Sequence, residues 1–67
     1  MSEHTASSVL ESFVGRPTAG HFGFVANVRT ADGWFMLHPQ DYGFPVERNG
    51  FFRSEADALA AIAKASA

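Results

Sequence analysis

Within residues 22–39, apolar and polar positions alternate in two runs that flank the dipeptide Asp32-Gly33. Asp-Gly in this setting is typical of a two-residue hairpin turn, because a type I′ turn needs positive φ at both central positions. We therefore predict a β-hairpin with Asp32 and Gly33 in its turn. In that register Arg29 lies opposite Met36, and the two strands are antiparallel.

The predicted pairing sorts the side chains onto two faces of the sheet. The inner face is expected to be core and carries the apolar residues Phe22, Phe24, Ala26, Val28, Phe35 and Leu37. The outer face carries Val25, Asn27, Arg29, Trp34, Met36 and His38.

The outer face is the candidate site of this chain. Because Trp, Met and Arg are enriched in protein interfaces, we predict that it binds a partner protein or a second copy of the chain. The residues expected to contact that partner are Trp34, Met36, Arg29, His38 and Asn27. The alternative is that an N-terminal helix crosses this face and buries Trp34.

One helix is predicted before the hairpin and one near the C-terminus. Ser8 and Glu11 match a capping box, in which each side chain satisfies a free backbone N–H at a helix start. Apolar residues then recur at helical spacing, which predicts a short helix over residues 8–14. Ser54 is the predicted N-cap of residues 55–66, where Ala, the best helix former, dominates.

The remaining segments complete a predicted two-layer α+β fold. Residues 44–48 are expected to be a third strand, and residues 51–53, after an Asn-Gly turn signal, are a candidate fourth. Short connections favour an antiparallel sheet, with both helices packed on its inner face. Leu59 and Ile62 of the C-terminal helix are expected to complete the core.

The chain length fits one small domain. With 67 residues, folding buries only about 60% of the surface that the unfolded chain exposes. We assign residues 7–67 to this domain and expect residues 1–6, which are small and polar, to be a disordered tail. Seven Phe, one Trp and one Tyr can form a core, and a partner or second copy would cover the apolar surface left over.

Composition and motifs argue against catalysis. The chain has no Cys, which excludes a disulfide framework and a thiolate zinc site, and its three His lack ligand spacing. No Ser lies in a Gly-x-Ser-x-Gly elbow, and no Gly-rich phosphate-binding loop occurs. His38, Asp41 and Tyr42 share one short segment, which an ordinary turn explains better than an acid–base cluster. We expect a non-enzymatic protein without metal or cofactor.

Hydropathy and charge restrict the classes of partner. No apolar run reaches the roughly 18–20 residues of a membrane span, and the N-terminus lacks the features of a signal peptide, so we expect a cytoplasmic protein without membrane contact. The net charge of −2 does not predict a duplex-DNA binder. Single-stranded nucleic acid is the alternative partner, because aromatic and Arg side chains on a sheet face can stack bases. The residues for that role are Arg29, Trp34, Arg48 and Arg53.

A series of short motifs runs through residues 22–65. The motifs are Gly33-Trp34-Phe35, a Pro-centred turn at residues 39–43, Gly50, and a helix opening with Glu55-Ala56 and Ala58-Leu59. In this order they resemble the HicB-like antitoxin fold, a compact unit of three strands and a helix, although the second proline of that family's turn is Tyr42 here. The resemblance implies a non-catalytic protein that binds and blocks or regulates a partner protein.

Overall fold

A computed structural model describes residues 8–18, 20 and 22–67. Its elements are the strands β1 (Glu11–Gly15), β2 (Val25–Thr30) and β3 (Gly33–Leu37), a 3₁₀ turn (Pro39–Tyr42) and the helix α1 (Glu55–Ser66). The strands form an antiparallel sheet in the order β1-β2-β3, so the α+β class is confirmed. The tail predicted at residues 1–6 lies outside the described residues, as do His4 and His21.

The predicted hairpin is present, but its turn lies one residue earlier. Thr30 pairs with Gly33, so Ala31 and Asp32 are the central residues of the turn. A type I′ turn at Asp32-Gly33 would need positive φ at Asp32, whereas only glycines adopt positive φ in the described part of the chain, among them Gly33 at 117°. The Thr30 hydroxyl accepts the backbone N–H of Asp32 at 3.1 Å, which stabilises the turn as observed.

The altered turn moves every cross-strand pair by two residues and leaves the faces intact. Arg29 lies opposite Trp34 instead of Met36, and Met36 lies opposite Asn27. Because side chains alternate with a period of two along a strand, a shift of two residues keeps each side chain on its predicted face. A turn at Asp32-Gly33 also predicts His38 opposite Asn27, and this pair is wrong because β3 ends at Leu37.

The predicted N-terminal helix is wrong: residues 11–15 form β1, which pairs along β2. A helix of seven residues is marginal in water, whereas a strand there gains backbone hydrogen bonds from the free edge of β2. Val14 lies opposite the buried Ala26 and packs against the core. Glu11, which was expected to complete a capping box, instead forms an ion pair with Arg29.

The third and fourth strands predicted at residues 44–48 and 51–53 are also wrong. This region forms only isolated bridges, from Phe52 to Phe24 and to Val46. The backbone N–H groups of Phe24 and Phe52 each donate to the carbonyl oxygen of the other residue, at 2.9 and 3.0 Å. Pro45 has no N–H to contribute to a ladder, and the third strand of the sheet comes instead from β1.

The C-terminal helix is confirmed and covers the inner face over β1, β2 and the 3₁₀ turn. Its predicted N-cap is observed, with the Ser54 hydroxyl accepting the N–H of Asp57 at 3.1 Å. Lys64 Nζ donates to the carbonyl oxygen of Tyr42 at 3.1 Å and ties the helix to the 3₁₀ turn. The residues that α1 buries are Ala58, Ala61 and Ile62.

The core is centred on Phe52, which is 1% exposed. Around it lie the other buried apolar residues, Ala26, Val28, Ala58, Ala61 and Ile62. Three residues expected in the core are exposed instead: Phe22 at 77%, Phe35 at 50% and Leu59 at 52%. Phe35 is on the inner face as predicted, but α1 lies over the other two strands and leaves the side of β3 uncovered.

Candidate functional site

Two rows of cross-strand neighbours build the outer face. In one row Arg29 of β2 lies between Glu11 and Trp34, and in the next row Asn27 lies between Phe13 and Met36. Directly opposed side chains in a sheet are close enough to interact. The outer face therefore places three large apolar side chains around a central polar strip.

The apolar side chains of this face are held together by an aromatic contact. The rings of Phe13 and Trp34 meet edge to face, with centroids 5.4 Å apart and an interplanar angle of 69°. Because β2 separates the strands that carry them, the two rings meet above β2. Phe13 remains 52% exposed, Trp34 49% and Met36 58%. We call these three side chains the apolar patch.

Polar groups beside the apolar patch are paired within the sheet. Arg29 Nε donates to Glu11 Oε1 at 2.8 Å. The Asn27 side-chain amide donates to the carbonyl oxygens of Val25 at 3.3 Å and Phe13 at 3.5 Å. The ion pair neutralises the two charged side chains of these rows, so the surface around the patch carries little net charge.

No described helix covers this face. The helix α1 packs on the opposite side of the sheet. Residues 8–14 were predicted as a helix that crosses the outer face only in the alternative, and residues 11–14 belong instead to β1 of the same sheet. The alternative in which that helix buries Trp34 is therefore wrong. The apolar patch stays open on the described part of the molecule.

A groove of about 250 Å³ opens where β3 ends. It is lined by Phe24, Val25, Met36, Leu37, His38, Asn49, Gly50, Phe51 and Phe52. Met36 and Val25 belong both to this groove and to the outer face. The groove extends the apolar patch at the end of the sheet farthest from the hairpin turn.

The structure brings most of the predicted contact residues together. Trp34, Met36, Asn27 and Arg29 occupy the two adjacent rows, while His38 lies beyond the strand on the wall of the groove. Sequence reasoning missed Phe13 and Glu11. The alternation of residues 11–15, with Glu11, Phe13 and Gly15 on one side, was the signal that could have placed them.

The residues expected to bind single-stranded nucleic acid are divided between two regions. Arg29 and Trp34 are cross-strand neighbours, whereas Arg48 and Arg53 lie after the 3₁₀ turn, outside the strands. Arg29 is paired with Glu11, and Arg53 Nε lies 3.8 Å from Glu47 Oε2. Both ion pairs reduce the attraction for phosphates, and nucleic-acid binding stays a prediction.

The residues considered for acid–base chemistry do not share a cleft. His38 and Asp41 are exposed at the 3₁₀ turn, and Tyr42 packs against the core. Of these three residues only His38 lines the groove beside the outer face.

Metal-binding groups, membrane-spanning helices and similar proteins are all absent as far as the described residues and the known proteins show. Within residues 8–18, 20 and 22–67, no three His, Asp or Glu side chains gather as a metal-binding group. No helix in the same residues has the length and hydropathy needed to cross a bilayer. The chain matches no protein-family model, no curated protein and no solved structure.

Proposed function

We propose that this protein is a non-catalytic interaction module whose outer sheet face binds another protein, either a different chain or a second copy. The observation that supports the proposal is the apolar patch, in which Phe13, Trp34 and Met36 are each about half exposed on one face of the sheet. Exposed clusters of aromatic and Met side chains are typical of docking surfaces.

The size of the apolar patch sets the strength expected of this contact. An aromatic side chain buries about 150–250 Å² when fully covered, so covering the exposed half of each ring contributes about 2–3 kcal/mol at about 25 cal/mol per Å². With Met36, the patch contributes about 5–8 kcal/mol, which is comparable with the about 4–15 kcal/mol cost of association. The apolar patch therefore supports binding only with further contacts around it.

Charge pairing favours an apolar protein surface as the partner. The Arg29–Glu11 ion pair leaves no unpaired cation in the two rows to attract a polyanion. Rigid aromatic anchors on a sheet also lose little side-chain entropy when they are buried. The resemblance to HicB-like antitoxins agrees with a module that binds and regulates a partner protein.

Site-specific photocrosslinking tests the proposal with a matched control. Phe13 and Leu59 are both 52% exposed, but Phe13 is on the outer face and Leu59 is on α1. We expect benzoylphenylalanine at position 13 to give discrete protein adducts, both in purified protein at high concentration and in an extract of the cells that encode the chain. The same probe at position 59 should give few adducts. Equal adduct patterns at both positions would contradict the proposal.

A further inference from the structure

The strand β3 is an edge of the sheet that carries none of the usual protection. Its five residues, Gly33–Leu37, include no charged residue and no proline, and the pairing with β2 is continuous without a bulge. Natural proteins commonly protect edge strands with charged side chains, Pro or bulges, because free backbone N–H and C=O groups can pair with a strand of another chain. Trp34, Phe35 and Met36 are all exposed on this edge.

The backbone groups of Trp34 and Met36 point away from β2. The carbonyl oxygen of Arg29 accepts the N–H of Leu10, so Arg29 directs its backbone toward β1. Backbone polar groups alternate in direction along an antiparallel strand, and the pair of Arg29 with Trp34 is therefore a non-hydrogen-bonded pair. Trp34, and Met36 two residues later, consequently present their N–H and C=O groups at the open edge.

The inner side of β3 is also uncovered at Phe35. Phe35 shares its face with the buried Val28, yet half of its surface is exposed because α1 lies over β1, β2 and the 3₁₀ turn. The same strand thus exposes an aromatic ring on each face and free backbone groups between them.

From these features we infer that β3 pairs antiparallel with β3 of a second copy, about a two-fold axis at Phe35. The free backbone groups of Trp34 meet those of Met36 in the second copy, and the two-fold axis repeats the pair, giving four backbone hydrogen bonds. The two three-stranded sheets become one continuous sheet of six strands. The pairing goes beyond the proposed function, because it names a second copy of the chain as the partner and uses the edge of the sheet instead of its outer face.

A second copy fits this edge because the strand is complementary to itself. The two-fold axis places Phe35 against Phe35 on the inner side, in the uncovered space between the two α1 helices. On the outer side it places Trp34 beside Met36, a favourable sulfur–aromatic contact. At the ends of the strand it brings the exposed Asp32 toward the exposed His38 of the other copy, where an imidazole N–H can donate to the carboxylate.

Single cysteine substitutions test the pairing, since the natural chain contains none. The hydrogen bonds between the two copies come from Trp34 and Met36, so Phe35 and the same residue of the second copy form a non-hydrogen-bonded pair. The Cα atoms of such a pair are about 4.5 Å apart, which is within the range of about 4.4–6.8 Å found in disulfides. We expect Phe35→Cys to form an interchain disulfide under mild oxidation at least about tenfold faster than Leu59→Cys, because pairing raises the effective concentration of the thiols. Leu59 is the control because its exposure matches that of Phe35.

A mixture of Trp34→Cys and Met36→Cys chains provides a second readout that leaves Phe35 in place. We expect the mixed disulfide to exceed either self-disulfide severalfold, because position 34 faces position 36 across the two-fold axis. Equal rates for Phe35→Cys and Leu59→Cys, together with no excess of the mixed disulfide, would overturn the pairing. If the cysteine results contradict the pairing but position 13 still gives discrete adducts, the proposed function stands without the pairing. If the disulfides form as expected but position 13 gives no more adducts than position 59, only the proposed function is overturned.

Discussion

At the scale of single residues, Gly23 is the glycine where an added side chain would meet the closest neighbouring atoms. A Cβ atom at this position would lie 2.7 Å from the carbonyl oxygen of Phe52 and 2.8 Å from the Cβ of Phe51, and the residue has a φ of 110°. Only glycine adopts this φ without strain. The absence of a side chain at Gly23 therefore allows the Phe24–Phe52 bridge to form beside it.

We expect Gly23→Ala to lower the free energy of unfolding by about 2–4 kcal/mol, from backbone strain and from the clash with the Phe52 backbone. The control is Gly50→Ala, where φ is 92° but no atom lies within 4 Å of the added Cβ. That change should cost only about 1 kcal/mol, from strain alone. Urea unfolding followed by circular dichroism compares the two variants, and equal losses would show that the close approach is not important.

Phe52 and Phe22 give the second comparison of single residues. Phe52→Ala removes the largest fully buried side chain and should cost about 3–5 kcal/mol, which is most of the stability of so small a domain. Phe22→Ala removes an exposed ring and should change stability by less than about 0.5 kcal/mol. Thermal unfolding of both variants checks this difference, and a folded Phe52→Ala protein with unchanged melting temperature would contradict the assignment of the core.

At the scale of elements, pattern alone predicted the hairpin and α1 but not β1. The apolar positions of residues 8–14 fit both a helical stripe and a short strand, because so short a run satisfies either period. Pairing with β2 decides between them, because the alternation of residues 11–15 is compatible with a strand but does not exclude a helix. The burial of single Phe residues was equally unpredictable, since it depends on where α1 crosses the sheet.

The ion pair between Glu11 and Arg29 tests the placement of β1. Both side chains are exposed and meet only if β1 pairs with β2 in the observed register. A double-mutant cycle with Glu11→Gln and Arg29→Gln should give a coupling energy of about 0.2–1 kcal/mol. The coupling should fall in about 1 M salt, where screening is strong. Zero coupling at low salt would be at odds with this register.

At the scale of the whole molecule, the single α-helix among residues 8–18, 20 and 22–67 is too little to cover a three-stranded sheet on both faces. The sequence predicted which side chains share the outer face, because the shift of the hairpin by two residues preserved the alternation. It did not predict Phe13 as a neighbour of Trp34, since that contact depends on the third strand. The open outer face follows from this incomplete covering, whereas the open β3 edge follows from the order of the described strands, in which β3 is the last.

The most direct test of the central claim is Trp34→Ala, measured for stability and for association together. The substitution removes a half-exposed ring and its contact with Phe13, so the free energy of unfolding should fall by only about 1–2 kcal/mol. The adducts formed by benzoylphenylalanine at position 13 should be lost at the same time, while the sparse adducts at position 59 stay unchanged. An unfolded variant would show that Trp34 belongs to the core, and a folded variant that keeps its adducts would show that the apolar patch is not the docking surface.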